Sequence, residues 1–310
     1  MKTLLCIPTL NAGPHLAELL PAIRRQTTQP DDVLVIDSSS DDETAEAFAG
    51  IGAHVHRIPR ADFDHGGTRQ LALELYPDAE VLLYLTQDAI PADHQTFEAL
   101  RSELLGERVG AAYGRQLPRT GADAIEAHAR FFNYPPHSAV KTISDARALG
   151  IKAAFLSNSF SAYRRSALEE VGGFPRRNIF GEDMHAAARL LMRDWRVAYV
   201  ADAMVRHSHP YTHLQEFRRY FDVGVFLSHN EWITSTFGRA SGEGFRYLKS
   251  EIRYLASTDA RRLPQVLSRS VMKLLGMHLG RYEGRLPTRI KRTLSMNKAF
   301  WTQSLERARA

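Results

Sequence analysis

The sequence predicts an α/β fold: a mostly parallel sheet flanked by helices, followed by an all-helical C-terminal extension. Three observations predict it. Short β-rich runs alternate with helical patterns through the first half of the chain. The run Val81–Leu85 is apolar throughout, as in strands covered on both faces. After Tyr211 the pattern changes to amphipathic helices, with Leu214, Phe217, Phe221 and Val225 on one face of the first. In order, residues 3–7, 33–37, 54–58, 81–86 and 109–115 read as strands, and residues 15–25, 43–49, 68–75 and 94–105 as helices between them. Residues 122–209 hold a helix, a strand-like run at 158–164, a helix opening near Glu182 and a strand at 197–200. The expected organisation is a domain of residues 1–210, in halves 1–116 and 117–210, with a helical extension over 211–310.

With 310 residues, 44% hydrophobic and 24% charged, the chain is long and apolar enough to bury a sizeable core as a folded soluble protein. No apolar run approaches the roughly 20 residues that cross a bilayer, and the N-terminus enters strand-like sequence without a signal-peptide pattern. A cytoplasmic location is the expectation. The single Cys6 excludes an internal disulfide and reads as core filler within an apolar strand. The net charge of +5 is asymmetric: residues 211–310 carry 18 Lys+Arg against 8 Asp+Glu, net +10, which leaves −5 for residues 1–210. A polyanionic partner and a merely solvated helical surface both account for the basic half.

In open parallel sheets ligands bind beyond the carboxyl ends of the strands, so the residues there are the candidates. The first strand ends in Pro8-Thr9-Leu10-Asn11 and the second in Asp37-Ser38-Ser39-Ser40-Asp41-Asp42. Ser40, Asp41 or Asp42 is expected to cap the following helix, leaving Asp37 to accept from a base imide or ribose hydroxyl. The third leads into Asp64-His65-Gly66-Gly67-Thr68-Arg69, where backbone amides at a helix start and a guanidinium suit an anion. The fourth delivers Thr86-Gln87-Asp88-Ala89, whose carboxylate suits Mg²⁺ or Mn²⁺. Further on, Gly181-Glu182-Asp183 opens a helix, and His207 and His209 project to one side of an extended chain, able to finish a metal shell.

Taken in order, Ile7-Pro8-Thr9-Leu10-Asn11, Val35-Ile36-Asp37-Ser38-Ser39-Ser40-Asp41, Phe63-Asp64-His65-Gly66-Gly67-Thr68-Arg69, Leu85-Thr86-Gln87-Asp88-Ala89, Gly181-Glu182-Asp183 and His207-Ser208-His209 resemble the inverting family 2 glycosyltransferases of GT-A fold. The His-Gly-Gly-Thr-Arg and Thr-Gln-Asp-Ala pieces look most like its rhamnosyltransferases, and the resemblance spans about residues 3–230. It implies a nucleotide-sugar-binding half over 1–116 and an acceptor and catalytic half over 117–210. The implied donor-binding set is Pro8, Thr9, Asn11, Asp37, Ser39, His65, Gly67, Arg69, Gln87 and Asp88, with Arg69 on the diphosphate. Asp88, with His207 or His209, would hold Mg²⁺ or Mn²⁺, and Asp183 would take the acceptor hydroxyl's proton. One departure stands out: the family's metal motif often has two carboxylates one residue apart, and Gln87-Asp88-Ala89 has one.

The resemblance also implies a donor, dTDP-rhamnose ahead of UDP or GDP sugars, and a saccharide or lipid-linked acceptor in cell-surface polysaccharide or lipopolysaccharide synthesis at the inner membrane face. In the tail, Phe217, Arg218, Arg219, Tyr220, Phe221, Arg285, Arg289, Lys291, Arg292, Lys298 and Trp301 mix cations with aromatics, as an anionic membrane surface requires; packing on the catalytic domain or in a homo-oligomer explains the aromatics as well. A nucleotidyltransferase would open with a Gly-rich basic loop and a dinucleotide oxidoreductase with Gly-x-Gly-x-x-Gly, and neither is present. A nucleic-acid-binding module remains an alternative for the basic tail, but it leaves the acidic strand-end residues without a purpose, so no nucleic-acid partner is expected.

Overall fold

A computed structural model describes residues 1–238 and 242–307. Nine strands form one sheet: β1 (Thr3–Thr9), β2 (Asp32–Asp37), β3 (His54–Arg57), β4 (Val81–Leu85), β5 (Ile90–Pro91), β6 (Val109–Leu117), β7 (Ala139–Lys141), β8 (Phe160–Arg164) and β9 (Arg196–Arg206). Their order is β3-β2-β1-β4-β8-β6-β9-β5, with β7 also on β9. The first four are mutually parallel. The second half is mixed: β8 runs antiparallel between β4 and β6, β6 and β9 are parallel, and β5 and β7 pair antiparallel with β9.

Side chains alternate across a strand, so β1 feeds two cores. Leu4 and Cys6 join one face with Tyr84 and Tyr163, while Leu5 and Ile7 join the other with Phe97 and Phe160. That double burial is what makes the strand sequences apolar without alternation. Cys6 lies wholly inside, and burial pushes its thiol up to about 12, which makes it an inert filler.

The helices are α1 (Gly13–Arg24), α2 (Thr44–Ala49), α3 (His65–Leu75), α4 (Thr96–Glu103), α5 (Ala124–Asn133), α6 (Ala146–Leu149), α7 (Arg165–Glu170), α8 (Glu182–Met192), α9 (His213–His229), α10 (Glu231–Phe237), α11 (Glu243–Thr258), α12 (Leu263–Arg281), α13 (Thr288–Leu294) and α14 (Lys298–Arg307). From α9 onward the chain is helical, and it does not stand apart. Phe221, Val225, Phe226, Ile233, Phe237 and Trp301 lie in the same core as Leu4 and Tyr84. The helix α9 starts at a capping box, in which Gln215 N–H donates to Thr212 Oγ1 and Thr212 N–H to Gln215 Oε1.

Glycines let α9 and α12 cross backbone to backbone. A Cβ on Gly280 would stand 2.0 Å from the Phe221 carbonyl oxygen, and one on Gly276 2.3 Å from that of Phe217. No rotamer relieves a clash with backbone. Gly280→Val should therefore force the helices apart and cost about 2 kcal/mol or more, read as a lower urea midpoint at unchanged slope.

Candidate active site

Asp88 follows the buried strand β4, and what happens next places it. The two residues of β5 pair with the end of β9, Ile90 opposite Arg206 and Pro91 opposite Val205, so the β4–β5 turn lies over the residues that follow β9. His207 Nε2 is 3.4 Å and His209 Nε2 3.5 Å from Asp88 Oδ2. The three ligand atoms lie within 4.8 Å of one another. His207 Nδ1 is 3.0 Å from Gln116 Oε1, which also accepts from Arg130, so Nδ1 donates there and Nε2 faces the cluster. Burial raises the Asp88 carboxyl, but the His207 hydrogen bond and the two imidazoles outweigh it and hold the group ionised, well below the usual range. Burial, with His207 beside it, lowers His209 to about 4, so it is neutral at pH 7. One carboxylate and two imidazoles form a donor set that fits Mn²⁺.

The missing second carboxylate has a structural reason. Ala89 is wholly buried among Leu5, Ile7 and Phe97, so an acid there would enter the core rather than the cleft. Gln87 is also occupied: its side chain accepts from Leu10 N–H at 2.8 Å and donates to Leu10 O at 3.0 Å, fastening the β1 loop to the β4 loop.

Asp183 sits in the first turn of α8, after Gly181 with φ +79°. A Cβ on Gly181 would meet the Phe226 ring at 2.9 Å, so both the backbone angle and the packing of α9 call for glycine. The Asp183 carboxylate accepts from Met184 N–H at 2.7 Å and Asn158 N–H at 3.3 Å. The helix dipole acts to lower its pKa, yet burial and the neighbouring Glu182 charge raise it to about 7. That is the range a general base needs near neutral pH.

Glu182 is buried and ionised. Its Oε1 is 3.1 Å from Arg69 Nη1 and accepts from Asn158 Nδ2 at 3.0 Å. Arg69, expected on a diphosphate, is here engaged by Glu182. Its side chain is 5% exposed, pairs with Glu182 and donates to His65 O at 2.8 Å. Gly66 makes the pairing reachable: a Cβ there would stand 1.8 Å from the Pro175 carbonyl oxygen and 3.3 Å from Glu182 Cβ. The anion site expected at the start of α3 is also taken from within. The Gly67 N–H donates to Asp64 Oδ2 at 2.9 Å, so the helix carries its own carboxylate cap. His65 is driven toward the neutral form by burial, against the pull of Glu182.

The first two strand ends brace one another. Asp37 is wholly buried; Thr9 Oγ1 donates to its Oδ1 at 3.1 Å and Ser40 N–H to its Oδ2 at 3.0 Å, with Arg57 Nε 3.6 Å away. Both oxygens of Asp37, expected to accept from a ligand, are thus engaged within the protein. Of Ser40, Asp41 and Asp42, it is Asp42 that holds the start of α2: its Oδ1 accepts from Thr44 N–H at 3.1 Å, while the Glu43 side chain at the N-cap makes no such bond. Asp42 accepts from Gly13 N–H at 2.9 Å at the start of α1, Asp41 pairs with Arg60, and Ser40 braces Asp37. Asn11, with φ +51°, accepts from Asp41 N–H at 2.9 Å, and Ser39, with φ +59°, donates to Ile58 O at 2.8 Å. Pro8 is half-buried before this loop pair, and the exposed Leu10 and Asn11 form its open lip.

Two residues outside the sequence-derived set flank the site. Arg130 on α5 donates to Gln116 behind His207. Arg219 on α9 lies 5.4 Å from the Phe180 ring and 5.6 Å from the Tyr211 ring. The sequence signal for Arg219, a cation among aromatics, was there, but it was assigned to a membrane face.

A sheet of this order, with a carboxylate–imidazole cluster and a raised-pKa carboxyl beyond its strand ends, marks the chain as a glycosyltransferase of GT-A fold. The model for "Glycosyltransferase like family 2" matches residues 2–221. The O-antigen chain rhamnosyltransferase RfbN of Salmonella typhimurium is 46% identical over 302 residues, covering 97% of this chain and 96% of its own. WbaN of Salmonella anatum, also an O-antigen chain rhamnosyltransferase, is 43% identical over 298 residues, 96% and 95% of the two chains. Among solved structures, a mannosyltransferase of Pyrobaculum calidifontis in complex with GDP-Man and Mn²⁺ superposes with TM-score 0.57 at 19% identity, over 98% of this chain and 86% of that one. TarS of S. aureus in complex with UDP-GlcNAc gives TM-score 0.51 at 15% identity, over 92% of each. The chain belongs to glycosyltransferase family 2 and is similar to its rhamnosyltransferases.

The raised Asp183 pKa fixes the sign of two pH effects. A catalytic base must be deprotonated, so with Asp183 in that role kcat/KM for transfer should rise with pH to about 7 and level off above it, and Asp183→Asn should lower turnover roughly 10²–10⁴-fold with little change in donor affinity. Between the unfolded value of 3.8 and about 7 the folded state binds the extra proton, so stability falls as pH rises through that window and stays lower above it. Asp183→Asn should therefore raise the thermal midpoint relative to wild type at pH 8. A flat wild-type profile between pH 5.5 and 8 with a stable Asn variant overturns the assignment.

Proposed function

We propose that the chain is an inverting transferase that moves L-rhamnose from dTDP-rhamnose onto a hydroxyl of a saccharide or lipid-linked acceptor in O-antigen-type polysaccharide synthesis. The observation that carries the chemistry is the pairing, at the strand ends, of a carboxyl raised to about 7 at Asp183 with the Asp88–His207–His209 cluster. Similarity to rhamnosyltransferases along nearly the whole chain supports the donor sugar. Asp183 takes the proton of the acceptor hydroxyl as its oxygen attacks the anomeric carbon; the nucleoside diphosphate leaves from the opposite face, which inverts the configuration. Asp88, His207 and His209 would hold Mn²⁺ or Mg²⁺, which when bound supplies electrostatic stabilisation of the leaving diphosphate. The Pro8–Asn11 and Ser39–Asp41 loops offer the nucleotide edge. Glu182, held by Arg69, keeps Asp183 basic. Residues 1–210 form the catalytic unit in this reading, with 211–310 as its helical support.

The test is a thermal-shift panel of dTDP, UDP and GDP and their sugars with Mn²⁺ or Mg²⁺, followed by transfer from the donor that stabilises. dTDP-rhamnose should give the largest shift, and Asp88→Ala should remove the metal-dependent part of turnover. Stabilisation by UDP or GDP sugars alone overturns the rhamnose donor, and full wild-type activity in excess chelator overturns the metal.

The second part of the proposal is a peripheral position on an anionic bilayer at the inner membrane face. No described helix is long and apolar enough to cross a membrane. The α12 face opposite the α9 contact carries Leu267 and Leu274, 70% and 69% exposed, beside Val271, and α11 presents Phe245, 71% exposed. Lys249, Arg253, Arg281 and Arg285 flank them without an acidic partner within 4.0 Å among the described residues, the charge pattern an anionic interface rewards. Wild type should co-sediment with phosphatidylglycerol-containing vesicles at low salt and Leu267→Glu/Leu274→Glu should not; a salt-independent dimer disrupted by the same pair, with no vesicle binding, overturns it in favour of a second copy.

A further inference from the structure

The structure leaves a question about charge that the recognised motifs do not answer. A departing diphosphate needs cationic or N–H donors, yet the two expected to supply them are spent: Arg69 on Glu182 and the Gly67 amide on Asp64. Arg57 and Arg60 are committed at the strand ends, to Asp37 and Glu46 and to Asp41. Arg130 is turned to Gln116.

One cation faces the gap. Arg219, on the first C-terminal helix, is exposed and has no carboxylate within 4.0 Å among the described residues. Its guanidinium is held between two rings that belong to opposite sides of the cleft. Phe180 precedes the Gly181-Glu182-Asp183 turn, and Tyr211 stands against His209 with ring centroids 5.3 Å apart. Stacking on two rings orients the planar fork without using its N–H donors, a preorganised grip for phosphate oxygens. Its field reaches His65 on one side and His209 on the other, which agrees with a position between the base and the carboxylate–imidazole cluster.

We propose that Arg219 is the residue that binds the diphosphate of the nucleotide donor, a role supplied from the C-terminal helices rather than from the nucleotide-binding half. The helical extension thereby completes the donor site. The proposal rests on the donor reading above, and its test is built to separate the two.

Binding of dTDP, dTMP and inorganic pyrophosphate is measured by calorimetry with Mn²⁺ present, on wild type, Arg219→Ala, Arg219→Lys and Arg218→Ala. Arg218 is the neighbour on α9 whose side chain donates to the Thr293 carbonyl, away from the cleft. Loss of charge-assisted hydrogen bonds should weaken dTDP and pyrophosphate roughly 10- to 100-fold in Arg219→Ala. Binding of dTMP should change least, Arg219→Lys should recover part of the loss because it keeps charge without the fork, and Arg218→Ala should match wild type. Unaltered dTDP and pyrophosphate affinity in Arg219→Ala overturns the proposal, and so does a rise confined to the acceptor KM, which would assign the guanidinium to the acceptor. If wild type binds pyrophosphate through Arg219 but none of the dTDP, UDP or GDP series, the donor reading fails and the assignment of Arg219 stands.

Discussion

The buried pair between Arg69 and Glu182 is the contact on which the rest of the site depends. Both side chains are almost fully removed from water, 5% and 6% exposed, and an isolated charge there would be very costly. Partners gather around the pair: Arg69 Nη1 donates to the His65 carbonyl while its buried Nε has no hydrogen-bond partner among the described residues, and Glu182 accepts from Asn158, whose own amide oxygen is fixed by Ser161 and Tyr163. Such a pair contributes less to stability than to geometry. It ties the start of α3, in the first half of the chain, to the start of α8, in the second. It also keeps a permanent negative charge beside Asp183, and that charge together with burial makes an ordinary carboxyl basic near neutral pH.

The C-terminal helices hold the same turn from the other side. Asp222 on α9 accepts from Ser295 Oγ at 2.6 Å and from Met296 and Asn297 N–H at 2.9 and 3.1 Å, which anchors the approach to α14. Asn297 Nδ2 then donates to the Ile179 carbonyl at 2.9 Å, two residues before Gly181. Phe226 closes on Gly181 itself. The turn that displays Asp183 is thus gripped by α3 through Glu182 and by the helical extension through Ile179 and Gly181. An extension that merely tethered the enzyme would not need to share its core, yet Phe221, Phe226 and Trp301 do.

How much of this was legible in the sequence follows from range. The strands β1, β2, β4 and β6 were readable because burial on both faces writes an unbroken apolar run, and Asp88, Asp183, His207 and His209 were readable because they stand just past such runs or at a helix start. The two- and three-residue strands β5 and β7 have no room for a period, and the antiparallel direction of β8 leaves no local trace. Roles set by distant partners were invisible. Arg69 before a helix looks the same whether it faces a phosphate or a carboxylate 113 residues away; only the Pro175 carbonyl against Gly66, which no local pattern announces, decides between them. The partners of Asp37 were invisible likewise, because Thr9 and Ser40 reach its oxygens from a neighbouring strand end and the following turn.

The lone carboxylate at Asp88 changes the charge balance of the site in a way that ties these observations together. Two carboxylates would cancel both charges of a divalent ion; one would cancel one, and His209, lowered to about 4, adds no charge at neutral pH. An ion held there would keep a positive charge for a leaving diphosphate, to which it would supply electrostatic stabilisation. The Arg69 pairing acts at the other carboxyl: it holds Glu182 ionised, and that charge with burial outweighs the pull of Arg69 itself in raising Asp183. A single acid beside two imidazoles at one place and a paired acid at the other thus leave Asp88 ionised and Asp183 protonatable near neutral pH.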